Sequence, residues 1–236
     1  MSHSYQALLF DVFGTVVNWR ESIANDVGKR MRLKGIEQDW NQFALDWRAL
    51  YQPGMQRIRA GNRDYVILDV LHRENLQELV EPYGLESLTD AELDDINHAW
   101  HRLVPWADSV PGMQRLHRRF RLAPLSNGNI ALQVNLKRFA GLPWDAILGS
   151  EPTRGYKPQP EVYVKSATML GLTPSQCLMV AAHNDDLRQA RSLGFATAYI
   201  NRPTEYGHAQ TVDMQADEDW DFVTESMIEL ADALNC

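Results

Sequence analysis

The sequence predicts an α/β fold, a Rossmann-like parallel sheet core with an inserted helical cap. Three observations predict it. Apolar runs of strand length recur along the 236 residues, the runs beyond residue 105 alternate with segments of helical period, and the stretch behind the first run carries helical periods alone. The expected division is a core of residues 1–17 and 106–236 and a cap of residues 18–105. A chain of this length buries a substantial core and suits one α/β domain with a smaller insertion.

The first element is the run Ala7-Leu8-Leu9-Phe10, ending in Asp11 and followed at once by Val12-Phe13-Gly14-Thr15. A continuous apolar run reads as a buried parallel strand, and open α/β sheets place their chemistry beyond the carboxyl ends of such strands. Asp11 therefore stands where a nucleophile would stand; read alone, it is also a residue that caps the next turn. Helical spacing follows in Ile23, Val27 and Met31 before Gly35. A second helical segment from about Asp39 carries Trp40, Phe43, Trp47, Leu50 and Tyr51 on one face. A third helix is expected from near Asp64 and a fourth from about Thr89 through Leu93, Ile96 and Trp100. Pro105 and Pro111-Gly112 punctuate the return to the core. Strand-like runs then occur at Leu122 to Leu125, Ala146 to Leu148, Cys177 to Ala182 and Ala196 to Ile200.

The formal charge of -8 leaves no obvious basic face, which argues against a general nucleic-acid binder. No segment reaches the length needed to cross a membrane, and the first residues lack a basic start followed by a long apolar stretch. The two cysteines, Cys177 in an apolar run and Cys236 at the end, lack metal-ligand spacing and suit a reducing compartment. The expectation is a cytoplasmic protein.

Four segments lie in order at strand ends: FDVFGT (Phe10 to Thr15), LSNG (Leu125 to Gly128), YKPQPEVY (Tyr156 to Tyr163) and VAAHNDD (Val180 to Asp186). Together they resemble the motifs of the haloacid dehalogenase superfamily, and within it the 2-haloacid dehalogenases. The match runs from the first strand almost to the last. What the resemblance implies is a hydrolase in which Asp11 is the nucleophile, with Gly14 letting backbone amides approach an anion and Thr15 adding a hydroxyl donor.

Phe13 discriminates between branches of that superfamily. Phosphatases place there an aspartate that protonates the leaving group, whereas the dehalogenases have an aromatic. A phenyl ring donates no proton to an alkoxide, but a halide leaves without one. Phosphatases also carry, two residues after the valine of the last motif, an aspartate that helps to hold Mg²⁺; here it is Ala182. Asp186 remains, with Asp185 beside it.

By the same resemblance Ser126 and Asn127 bind a substrate carboxylate, at a turn that in isolation is only a strand-to-helix connection. Lys157, flanked by Gly155 and Pro158 and followed by Tyr163, orients and neutralises the nucleophile. Arg48, beside Trp47, corresponds to the arginine that receives the halide and the substrate carboxylate. His183 departs from the pattern VSSNxxD, in which an asparagine stands at its position and a serine at that of Ala181. It lines the halide pocket, helps to position water with Asp186, or simply bonds at a strand end.

The expected catalytic set is thus Asp11, Lys157, Asp186 and His183, and the expected substrate-binding set is Phe13, Thr15, Arg48, Ser126, Asn127 and Tyr163, with no metal and no cofactor. The expected substrate is a small 2-haloacid of the haloacetate or 2-halopropionate type, with fluoroacetate as a candidate, hydrolysed through an aspartyl ester. No nucleic-acid or membrane partner is expected; a homodimer is compatible. Two alternatives stay open: a Mg²⁺-dependent phosphatase of the same fold, and a catalytically silent binding protein on it.

Overall fold

The strand β1 (Ala7–Phe10) is wholly buried, as four consecutive apolar residues covered on both faces require. In the computed structural model, which describes residues 5–236, β1 pairs in parallel with β2 (Arg121–Ser126) on one side and β4 (Cys177–Ala181) on the other. Leu9 lies opposite Ala123 and Met179. Farther out come β3 (Leu148–Gly149), β5 (Ala196–Ile200) and β6 (Phe222–Thr224), giving among the described residues an all-parallel order β3-β2-β1-β4-β5-β6. Residues 1–4, the start of the expected core segment and of the terminus read for a leader, lie outside the described residues.

Between β1 and β2 the chain forms α1 (Trp19–Arg32), α2 (Trp40–Ala49), α3 (Tyr51–Arg59), α4 (Leu68–Gln77), α5 (Asp90–Asn97), a 3₁₀ turn (His98–His101) and α6 (Ser109–Leu116). The helix starts follow capping chemistry. The Asp39 carboxylate accepts the backbone N–H groups of Asn41 and Gln42, each at 3.0 Å, and Thr89 with Glu92 makes a reciprocal capping box. The block is held by an aromatic core: Phe43 packs edge-on against Tyr83 at 4.9 Å and against Trp47 at 5.5 Å, and Trp47 against Trp100 at 5.6 Å. Where the chain leaves and re-enters the sheet, Val17 and Pro105 form an antiparallel bridge. The remaining helices are α7 (Ile130–Ala140), α8 (Ser150–Thr153), α9 (Pro160–Met169), α10 (Asn184–Ser192) and α11 (Met227–Ala233). None of the described helices is long and apolar enough to cross a membrane.

Four details differ from the sequence expectation. The second helical segment breaks at Leu50, so that Tyr51 opens α3 and turns its ring toward Phe13 in the loop after β1. The helix expected from Asp64 begins at Leu68, because the residues before it stay extended as far as Ile67 (ψ 157°). The run Ala146 to Leu148 yields only the two-residue β3. The strand β6 was not anticipated, since Phe222-Val223-Thr224 is too short to register as a run.

Candidate active site

Asp11 emerges from the carboxyl end of β1 and is almost wholly buried, 7% exposed. Each of its oxygens is held. Lys157 Nζ donates to Oδ1 at 2.8 Å, Thr15 Oγ1 donates to Oδ2 at 2.8 Å, and His183 Nδ1 lies 3.1 Å from Oδ2. Burial opposes the charge of Asp11, but Lys157 and His183 outweigh it and hold the carboxyl well below the usual carboxylate range. The result is an ionised, aimed carboxylate at the floor of a cleft of about 700 Å³.

Lys157 reaches this point from the loop between α8 and α9, where its N–H donates to Asn127 Oδ1 at 2.8 Å. Its ammonium also donates to Asp186 Oδ2, and Tyr163 donates to the other Asp186 oxygen. Burial would lower the Lys157 pKa, but Asp11 and Asp186 reverse this and raise it. Asp186 is raised, by burial first and then through Asp11, with Lys157 pulling the other way. The ammonium thus bridges the two carboxylates. No group of three His, Cys, Asp or Glu residues suited to a metal occurs among the described residues.

Arg48 enters from α2 on the helical side. Its guanidinium lies 4.0 Å from the Tyr51 ring centroid and 5.6 Å from that of Trp19, and its Nε is enclosed without a hydrogen-bond partner. No carboxylate among the described residues pairs with it. Phe13 stands beside it, edge-on to Tyr51 at 6.5 Å and to Trp100 at 5.6 Å. An aromatic-walled, unpaired guanidinium is a receptor for an anion that has shed its water.

The structure thus brings Asp11, Phe13, Arg48, Asn127, Lys157, Tyr163, His183 and Asp186 to one cleft. Thr15 and Ser126 do not line it. The Thr15 hydroxyl is spent on Asp11 and on the N–H of Ala182, which it accepts at 2.8 Å. Ser126 is fully buried, its hydroxyl accepting the Gly128 N–H at 3.0 Å, so it shapes the turn that presents Asn127.

Sequence reasoning missed Glu205. It lies in the loop after β5, is 1% exposed, and accepts from Trp19 Nε1 at 2.8 Å through Oε1 while Oε2 lies 2.9 Å from His183 Nε2. A Cβ on Gly14, which has φ +90°, would stand 2.2 Å from this carboxylate, so only glycine lets it approach. Arg202 anchors the same loop by a two-pronged bond to Asp108, at 2.9 and 2.8 Å, and by donating to the Thr15 carbonyl at 3.1 Å. Its position after a strand was the available signal, because loops at carboxyl ends of parallel strands converge on one site.

A parallel sheet whose central strand ends in a buried carboxylate, with a block of helices over the cleft, is the architecture of haloacid dehalogenase-like hydrolases. The chain belongs to them: that family's model matches residues 5–194. Among solved structures, a defluorinating L-2-haloacid dehalogenase is 44% identical with a TM-score of 0.96, the alignment covering 98% of this chain and 96% of that one. A second L-2-haloacid dehalogenase is 42% identical with a TM-score of 0.95, covering 98% and 99% of the two chains. The (S)-2-haloacid dehalogenase of Xanthobacter autotrophicus is 29% identical over 201 residues, 84% of this chain and 75% of that protein.

Proposed function

We propose that this hydrolase cleaves the carbon–halogen bond of small (S)-2-haloacids, giving 2-hydroxy acids through an ester on Asp11. The observation that carries the reading is the pairing in one cleft of an ionised Asp11 with the unpartnered Arg48, across a phenyl ring where a phosphatase would need an acid. The carboxylate of Asp11 attacks the α-carbon, and the halide departs with the bonding pair on the far side. Arg48 is the cation free to receive it. Asn127 and Arg48 hold the substrate carboxylate, Phe13 and Tyr51 exclude water, and Lys157 keeps Asp11 charged and oriented. Water then attacks the ester carbonyl beside Asp186. Splitting one difficult displacement by water into two easier steps is the gain of covalent catalysis.

The core of residues 1–17 and 106–236 and the cap of residues 18–105 belong to this reading, and the bridge from Val17 to Pro105 supports the division. Fluoroacetate belongs among the candidate substrates, supported by the defluorinating relative. A reducing, cytoplasmic setting fits the two free cysteines. The deciding experiment measures halide release from chloroacetate, fluoroacetate and (S)-2-chloropropionate beside phosphate release from generic phosphate esters, with and without exhaustive chelation. Halide release that survives chelation is expected, because Phe13 and Ala182 replace two residues that Mg²⁺-dependent phosphoryl transfer uses. Phosphate release lost with the chelator and restored by Mg²⁺ overturns the reading.

A further inference from the structure

We propose that Glu205 is a positioning residue for the second half of the reaction: it fixes the His183 imidazole so that Nδ1 faces the Asp11 carboxyl and exchanges a proton there once the ester has formed. The inference rests on the function proposed above. Its basis is a continuous line of contacts, Trp19 Nε1 to Glu205 Oε1 at 2.8 Å, Glu205 Oε2 to His183 Nε2 at 2.9 Å, and His183 Nδ1 to Asp11 Oδ2 at 3.1 Å. The contact to Asp11 places His183 on the nucleophile's side of the reacting carbon. An in-line displacement sends the halide the other way, so His183 is badly placed to receive it and well placed for a water that approaches the ester carbonyl.

The charges follow. Facing His183 are Asp11 from the end of β1, Glu205 and Tyr206 from the loop after β5, Lys157 and Asp186 across Asp11, and the cleft residues Arg48 and Asp213. Burial disfavours an imidazolium here, but Glu205 and then Asp11 outweigh it and hold His183 protonated well above its ordinary range. Alkylation of Asp11 removes one of those two anions, so the Nδ1 proton can leave through the open cleft to solvent. Glu205 still accepts the Nε2 proton. The surviving tautomer therefore carries its lone pair on Nδ1, aimed at the ester.

The step balances. Water oxygen bonds to the ester carbonyl carbon while one water proton passes to Nδ1. The tetrahedral intermediate breaks its bond to the alkyl oxygen, which takes that proton from Nδ1 and leaves as the hydroxy acid. The new Asp11 carboxyl returns its own proton to Nδ1, restoring the aspartate–imidazolium contact. Over both half-reactions, one proton is released for each halide.

Trp19 makes the test specific. Because its indole N–H donates to Oε1, the amide in Glu205→Gln would keep its carbonyl there and turn its NH₂ toward His183 Nε2. That donor forces the imidazole proton onto Nδ1 and removes the base. With chloroacetate under rapid quench, Glu205→Gln, which keeps the imidazole beside Asp11, is expected to release the first halide per site within about threefold of the wild-type rate. His183→Asn, which also removes a cation from Asp11, is expected to slow the burst but to slow turnover more. Turnover should then slow on the order of 100-fold, the size typical of a lost acid–base group. Intact-protein mass should show the carboxymethyl ester accumulating on Asp11. Equal slowing of the burst and of turnover with no adduct would mean that Glu205 merely braces the fold, and would overturn the proposal.

A second readout needs neither turnover nor those variants: ¹⁵N resonances of His183 in the wild type and in Asp11→Asn, where a neutral amide stands in for the ester. The wild-type ring should be doubly protonated at neutral pH, and the Asp11→Asn ring should titrate lower to the Nε2–H tautomer. A ring that stays doubly protonated in both proteins over the same pH range overturns the coupling. A wild type that releases no halide would instead defeat the function reading, and the ring titration would separate the two failures.

Discussion

Lys157 carries more of the site than any other side chain, since its one ammonium touches both Asp11 and Asp186 where all three are largely buried at the floor of the cleft. Removing a cation from between two buried carboxylates leaves like charges facing each other, which neither can screen. Lys157→Met is expected to cost on the order of 100- to 1,000-fold in the rate of halide release. The direction of the pH effect follows from what opposes what at Asp11. Burial raises its pKa and Lys157 lowers it, so the acid limb of the rate profile should move toward neutral pH in the variant. An unchanged acid limb would show that Lys157 does not set the charge of Asp11. The residues whose meaning was legible in the sequence share one property: Asp11, Asn127 and Asp186 follow shortly after apolar runs, so strand and chemistry announce each other. Glu205 had no such marker. Its role depends on a loop folded by Arg202 and Asp108, whose partnership spans 94 positions and leaves no local pattern.

At the level of elements, legibility followed burial. β1, β2, β4 and β5 are buried over most of their lengths by largely apolar residues and read directly as strands, whereas β6 at the sheet edge is mostly uncovered and only three residues long. The break at Leu50 between α2 and α3 was illegible because apolar spacing continues across it; tertiary packing of Tyr51 against His72 and Phe13 decides the turn. Close approach of helices leaves a similar hidden constraint at Gly112. A Cβ there would lie 2.5 Å from the backbone of Met227, so α6 and α11 meet main chain to main chain. Neither backbone can move aside cheaply, because the Met227 N–H is tied to Asp108 Oδ2 at 2.7 Å. Gly112→Ala is therefore expected to destabilise by about 1–3 kcal/mol through overpacking. At roughly 2–4 °C per kcal/mol for a chain of this size, a thermal melt will resolve it. Turnover at 25 °C should be preserved, since α6 and α11 lie outside the cleft.

The molecule as a whole concentrates charge in its interior, and this makes stability depend on pH from two sides. Asp11, Asp69 and Asp108 all have lowered pKa values: burial opposes each shift, and it is overcome by Lys157 and His183, by His101 and Asn129, and by Arg202 respectively. A carboxyl lowered on folding stabilises above its ordinary value of 3.8 and loses that contribution as pH falls through the folded value. Acid should accordingly unfold the protein below about pH 4. His183 has the opposite sign. Its raised pKa gives a contribution fully present below 6.5 and lost as pH rises through the folded value, and Asp186, also raised, adds to this favouring of the acid side. Removing the imidazole leaves Glu205 and Asp11 without their shared cation, so the penalty is greatest where the wild-type ring is charged. His183→Asn should thus lower the urea midpoint most near pH 6 and progressively less toward pH 10, as the wild type loses its imidazolium. The comparison needs only urea melts of the two proteins across that range. A difference in midpoint that stays constant from pH 6 to pH 10 would mean that His183 contributes by packing alone and carries no charge between its two carboxylates.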